Sequence, residues 1–141
     1  MKQFLIWAII LIALYAGYTA LNQLYEAAHP KQILVAIDVS LSLEPVKSKL
    51  PQALAFLQEI PYARFKIVTN SPNRDLKVIQ DWDSQLNLDK VIKIPMYTTF
   101  SLEEFLNLPE LKTADRVIIV TNSPSTAVFN KLAHVEVINI K

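Results

Sequence analysis

The sequence predicts an α/β fold: a mainly parallel sheet with one antiparallel edge strand and helices on both faces, preceded by a transmembrane helix. Three observations point there. Residues 4–21, FLIWAIILIALYAGYTAL, form an 18-residue run without charge, which reaches the length a helix needs to cross a bilayer. Beyond residue 30, short apolar runs of strand length alternate with segments of helical spacing, the pattern of a parallel sheet covered by helices. The turn NSPN at 70–73 links the second such run to LKVI at 76–79, which reads as a hairpin and supplies the antiparallel edge.

The chain divides into an anchor over 1–24, a linker over 25–32 and a domain over 33–141. Trp7, Tyr15, Tyr18 and Tyr25 supply aromatic side chains for the membrane interfaces. A cleaved signal peptide needs small residues at −3 and −1. Ala20 has Tyr18 at −3 and Ala16 has Leu14, so an uncleaved anchor is the preferred reading, ahead of a signal peptide or a buried helix. Lys2 and the terminal amine precede the span, whereas Lys31 after it is partly offset by Glu26. This small excess favours an extracytoplasmic domain.

In the domain, residues 33–37 (ILVAI) form an uninterrupted apolar run, as in a strand covered on both faces. Val46, Leu50, Ala53, Leu57 and Ile60 then recur at helical spacing, predicting a helix over 44–60. Pro51 lies inside it, so the helix is kinked there or properly starts near Lys49. RFKIVT at 64–69 is the second strand and 76–79 returns as the hairpin. Residues 84–95 are ambiguous, with 91–94 extended in one reading. Ser101 caps a helix over 102–108, RVIIV at 116–120 is a buried strand, 125–132 is a helix, and VEVINI at 135–140 is a final strand. IVTNSP occurs twice, at 67–72 and 119–124, suggesting two similar strand ends on one edge of the sheet.

Composition excludes several classes. From residue 30 onward, thirteen Lys and Arg stand against twelve Asp and Glu, so charge gives no reason to bind nucleic acid. Cysteine is absent, which removes disulfides, thiolate metal sites and cysteine nucleophiles. The one glycine, Gly17, lies inside the apolar span. A P-loop and a dinucleotide fingerprint both need glycine for close backbone approach to phosphate. His29 and His134 have no carboxylate pattern around them and are not expected to form a metal site.

Ligands of open parallel sheets sit beyond the C-terminal strand ends. Asp38, Ser40, Ser42, Thr69, Asn70, Thr121, Asn122 and Ser123 all fall there. Asp38 and the two alternating serines offer only oxygen, which suits Mg²⁺ or Mn²⁺. ILVAIDVSLS resembles the first strand and Asp-x-Ser-x-Ser motif of von Willebrand factor A-type domains, a Rossmann-like fold. RFKIVTNSPNRDLKVIQ resembles that family's second strand and hairpin. MYTTFSLEEFL resembles its threonine loop and following helix, and RVIIVTNS its strand ending in Thr-Asp-Gly. The resemblance covers residues 33–140. It implies a metal-ion-dependent adhesion site with Asp38, Ser40, Ser42, Thr98 and Asn122 as direct or water-mediated ligands of Mg²⁺ or Mn²⁺, Thr99 being the alternative threonine. Asn122 stands where the family has aspartate and Ser123 where it has glycine. One carboxylate then replaces two, and weak affinity is expected.

Other readings compete. Ser42, followed by Glu44 and Pro45, could cap a helix, and Asp38 could simply accept backbone N–H bonds in a loop. Trp82 reads as a loop residue packed on the domain or, less readily, as a partner anchor. IIVTNS also resembles the second motif of haloacid-dehalogenase-type phosphatases, with Asp38 as nucleophile. That family needs an aspartate where Ser40 stands and a late acidic pair absent after Asn122, so this reading describes an inactive relative. The expected function is therefore binding without catalysis. A membrane-anchored module would take a protein partner, through an acidic residue on the cation or, without metal, as a structural part of a membrane complex.

Overall fold

A computed structural model describes residues 2–70, 76–96, 105, 108–122 and 134–140. The chain forms two compact units, residues 1–30 and 31–141.

The first unit is helix α1, Lys2–Ala28. Its 27 residues extend about 40 Å at the rise of an α-helix, longer than the hydrocarbon core of a bilayer. The helix is long and apolar enough to cross a membrane, and its apolar side chains are exposed. Apolar residues lie on all its sides, as in a membrane span. The linker expected over 25–32 is mostly regular structure. α1 runs through Ala28, helped by His29, whose ring stacks on Tyr25 at 4.4 Å, and strand β1 begins at Lys31. Pro30, which cannot donate to a helix ladder, falls at the break.

The second unit is a five-stranded sheet. The strands are β1 (Lys31–Ile37), β2 (Ala63–Asn70), β3 (Leu76–Asp83), β4 (Arg116–Thr121) and β5 (Val135–Asn139). Their order is β3-β2-β1-β4-β5. β1 pairs in parallel with β2 and β4, and β4 with β5, whereas β2 and β3 are antiparallel. The sheet is thus mostly parallel with one antiparallel pair, as the sequence predicts.

Strand alternation sends side chains to opposite faces. Ile33, Val35 and Ile37 join one buried cluster with Leu43, Leu50, Leu54, Leu57 and Val91. Leu34 and Ala36 join a second with Val68, Phe105, Leu111 and Val117. β1 is central and covered on both sides, which explains its uninterrupted apolar run.

The helix expected over 44–60 is broken into three pieces: a 3₁₀ segment Leu41–Lys49, α2 (Leu50–Leu54) and a 3₁₀ segment Ala55–Glu59. Prolines cause the break. Pro51 lacks an N–H and its ring would meet the carbonyl four residues back. The chain instead uses tighter bonds, Leu50 N–H to the Lys47 carbonyl and Ala55 N–H to that of Gln52, and α2 starts with Pro51 in its first turn, where proline is tolerated. Residues 91–94 are not extended. Val91 and Ile92 end α3, Leu88–Ile92, and Lys93 is its C-cap; the Asn87 side chain caps the start of α3 by accepting the Lys90 N–H. A further short helix, α4 (Glu110–Thr113), follows Pro109. The helix expected over 125–132 lies outside the described residues, as does that over 102–108 apart from Phe105 and Leu108. With no glycine in this unit, the left-handed position before β2 falls to Tyr62, at φ 53°.

Candidate functional site

β1, β2 and β4 run in the same direction, so their C-terminal ends share one edge of the sheet. Ile37 pairs with Thr69 of β2 and with Val120 of β4. The IVT segments at 67–69 and 119–121 of the two copies therefore flank the point where β1 gives way to Asp38. This edge brings together described strand-end residues that are 80 and 83 positions apart in the sequence.

Asp38 is 2% exposed. Its backbone N–H extends the sheet pairing to the Val120 carbonyl at 2.9 Å. Its carboxylate accepts two bonds: Ser40 N–H donates to Oδ1 at 2.9 Å and Thr121 Oγ1 to Oδ2 at 2.6 Å. Both oxygens of this buried side chain therefore have a protein donor.

The serines form a second, more exposed group. Ser42 Oγ donates to Asn122 Oδ1 at 2.7 Å, and the Asn122 amide Nδ2 donates to the Ser42 carbonyl. Reversing this amide would set two acceptors, its oxygen and the Ser42 carbonyl, against each other. Ser40 Oγ lies 2.8 Å from Ser42 Oγ. Since the single Ser42 hydroxyl proton goes to Asn122, Ser40 must be the donor in that pair. Protons thus run Ser40 to Ser42 to Asn122, and each hydroxyl oxygen keeps a lone pair not spent on its neighbour.

The helix-cap reading of Ser42 is not what forms. Ser40 is the N-cap of the 3₁₀ segment and makes no side-chain cap bond, because its hydroxyl is turned to Ser42. The loop reading of Asp38 does describe part of its geometry, since it accepts the Ser40 N–H. Thr98, Thr99 and Ser123 lie outside the described residues. Thr121, noted at a strand end in the sequence but given no role, makes the buried contact to Asp38. No local pattern announces it, because the two residues are 83 positions apart.

Adjacent oxygens on an octahedral Mg²⁺, at about 2.1 Å from the metal, lie about 3.0 Å from each other. The Ser40–Ser42 and Ser42–Asn122 oxygen separations are 2.8 and 2.7 Å, the ordinary length of O–H···O hydrogen bonds. The donors are oxygens only, the kind a hard cation takes, with Asp38 as the carboxylate among them, and these separations are those of the hydrogen bonds that join Ser40, Ser42 and Asn122. Among the described residues, no group of three or more His, Cys, Asp or Glu could hold a metal. His134 Nε2 lies 2.9 Å from the Leu111 carbonyl and His29 Nδ1 3.0 Å from that of Tyr25.

A second polar cluster was not legible in the sequence. Lys66, on β2, reaches Glu110 at 2.9 Å and Asp81 at 3.1 Å, with its ammonium 6.0 Å from the Trp82 ring. Trp82 is thus part of β3, partly buried against the second core cluster, and not a loop residue. Burial weighs most against the Lys66 charge, but the bonds to Glu110 and then Asp81 outweigh it and leave the ammonium above its usual range. Glu110 is held below the usual carboxylate range by its bond to Lys66. Asp81 is lowered first by the Trp82 backbone N–H and then by Lys66. The cluster ties α4 to β2 and β3.

Comparison with family models, curated proteins and solved structures finds no match for this chain.

Proposed function

We propose that this chain is a membrane-anchored interaction module of the von Willebrand factor A type, with a weakened cation site at its strand ends and no catalytic activity. The observation that carries the reading is the order of protons from Ser40 through Ser42 to Asn122. It leaves hydroxyl lone pairs available beside the buried Asp38 carboxylate, the oxygen-only set a Mg²⁺ or Mn²⁺ ion takes. An acidic residue of a partner protein would fill an open coordination position. α1 would hold the domain at the bilayer and raise its effective concentration toward a membrane partner. We place the domain on the extracytoplasmic side from the charge excess at Lys2. Binding is preferred to catalysis because Ser40 occupies the place a phosphatase of the dehalogenase type gives its acid/base carboxylate.

The test is thermal melting of the purified protein across a Mg²⁺ or Mn²⁺ titration. A ligand that binds only the folded state stabilises it by RT ln(1 + [L]/Kd), about 2.7 kcal/mol at one hundred times Kd. The melting temperature should rise with millimolar cation, and Asp38→Ala should abolish the rise. One observation favours a second reading, a metal-free scaffold in a membrane complex: both Asp38 oxygens already have protein donors. A melting curve unmoved by either cation, together with an Asp38→Ala protein that no longer folds, would replace the first reading with the second.

A further inference from the structure

Every aromatic residue of α1 lies on one side of the helix. At the turn of an α-helix, Phe4, Trp7, Tyr15, Tyr18 and Tyr25 fall within an arc of about 80°. Asn22 falls inside the same arc, and Ala13, Ala16 and Ala20 lie on the opposite side.

The depth of these residues sets them apart. Trp7 and Tyr25 are about 27 Å apart along the helix, close to the thickness of the hydrocarbon core, and suit its two interfaces. Tyr15 and Tyr18 then lie about 12 and about 16 Å from Trp7, inside the hydrocarbon. Helical side chains lean toward the N-terminus, which carries the Tyr18 hydroxyl toward the centre of the bilayer. No water is there to bond a hydroxyl. Thr19 meets this need within the helix, donating to the Ala16 carbonyl at 2.9 Å. Tyr15 and Tyr18 do not: they are 72% and 69% exposed, and their hydroxyls have no bond among the described residues. A buried tyrosine hydroxyl takes a hydrogen-bond partner, and in lipid that partner comes from another helix.

We propose that α1 pairs in parallel with α1 of a second copy of this chain, with Leu11, Tyr15, Tyr18, Asn22 and Tyr25 along the seam. These positions alternate four and three residues apart, the repeat that keeps one stripe facing a partner helix in a left-handed coiled coil. The occupant follows from orientation and chemistry. Copies that obey one charge rule enter the membrane the same way round, so a pair of them is parallel. In a parallel twofold pair each seam position meets its own counterpart. A tyrosine hydroxyl and an asparagine amide each donate and accept, so each can bond to an identical group. Neither Lys2 nor Glu26, the charged residues of the helix, lies on the seam, so no like charges meet there. The pairing rests on α1 spanning the membrane and is independent of the strand-end cation site.

The chain has no cysteine, so one introduced thiol reports one position. In membranes holding the full-length protein, Leu11→Cys should form a disulfide-linked dimer under a membrane-permeant oxidant. Ala13→Cys, on the opposite side, should not. Adding Tyr15→Phe and Tyr18→Phe to Leu11→Cys removes both hydroxyls and keeps the rings. It should slow dimer formation about tenfold, the effect of two interhelical hydrogen bonds. Release of the protein by alkaline washing would overturn the membrane span and the pairing with it. Four results in protein that stays in the membrane would overturn the pairing alone: no Leu11→Cys dimer, an equal dimer from Ala13→Cys, a Leu11→Cys product of another mass, or an undiminished rate without the hydroxyls.

Discussion

Thr121 donates its hydroxyl to Asp38 at 2.6 Å, from the last position of β4 to the first residue beyond β1. Both groups are buried. The bond joins neighbouring strand ends, and it holds the only carboxylate of the candidate site in place. Thr121→Val, which keeps the shape and removes the hydroxyl, should cost about 2 kcal/mol in denaturant unfolding, because the Asp38 oxygen loses a donor where water does not reach it. Thr121→Ser should recover most of that loss. A valine variant as stable as the parent would show that Oδ2 is satisfied by another group.

Asn122→Asp should act in opposite directions with and without cation. Sequence resemblance alone makes this substitution a gain, since it restores a second negative charge to the site. The structure adds a cost, because Asn122 Nδ2 donates to the Ser42 carbonyl and a carboxylate would face that carbonyl with another acceptor. In chelator the variant should be less stable by about 1 kcal/mol. In Mg²⁺ its melting temperature should rise by more than that of the parent. Equal rises in the two proteins would remove position 122 from the cation site.

The Lys66 cluster sets an acid limit on stability. Glu110 titrates below its ordinary value of 4.5 in the folded protein, through its bond to Lys66. Its contribution is therefore present above that ordinary value and is lost as pH falls through the lower folded value. Lys66 is raised above 10.5, so its contribution is present below that value and lost in stronger alkali. Urea midpoints followed downward from pH 6 should fall below about pH 4.5, and less steeply in Glu110→Gln. Lys66→Met should cost about 3 kcal/mol, since it leaves the Glu110 carboxylate, 22% exposed as a side chain, without its counter-charge.

Anchoring by α1 predicts that the full-length protein fractionates with membranes and resists alkaline extraction. A reporter active only outside the cytoplasm, fused after Lys141, should be active. Release of a mature form lacking the first 20–28 residues would mean instead that the apolar helix is a signal sequence.

The sequence by itself determined the mostly parallel sheet, its antiparallel hairpin and the apolar N-terminal helix. Each depends on the apolar pattern over a few residues, such as 33–37 and 116–120, or on the turn-forming residue types at 70–73, and these signals are local. It also placed Asp38, Ser40, Ser42 and Asn122 at strand ends, because strand direction and length fix where a parallel strand stops. Local pattern erred where two tendencies competed. The helical spacing of Leu50 and Leu57 was real, but Pro45 and Pro51 broke the segment into 3₁₀ and α turns. Residues 91–94 had strand-like composition, yet the Asn87 cap and the burial of Val91 put Val91 and Ile92 at the end of a helix. Only the tertiary structure decided which side chains meet: Thr121 with Asp38, Asn122 with Ser42, and Lys66 with both Glu110 and Asp81. These pairs are separated by 15 to 83 positions. No periodicity spans such distances. The contacts exist because the sheet order sets β4 beside β1 and β3 beside β2, and a buried charge or hydroxyl must then find its partner across that boundary.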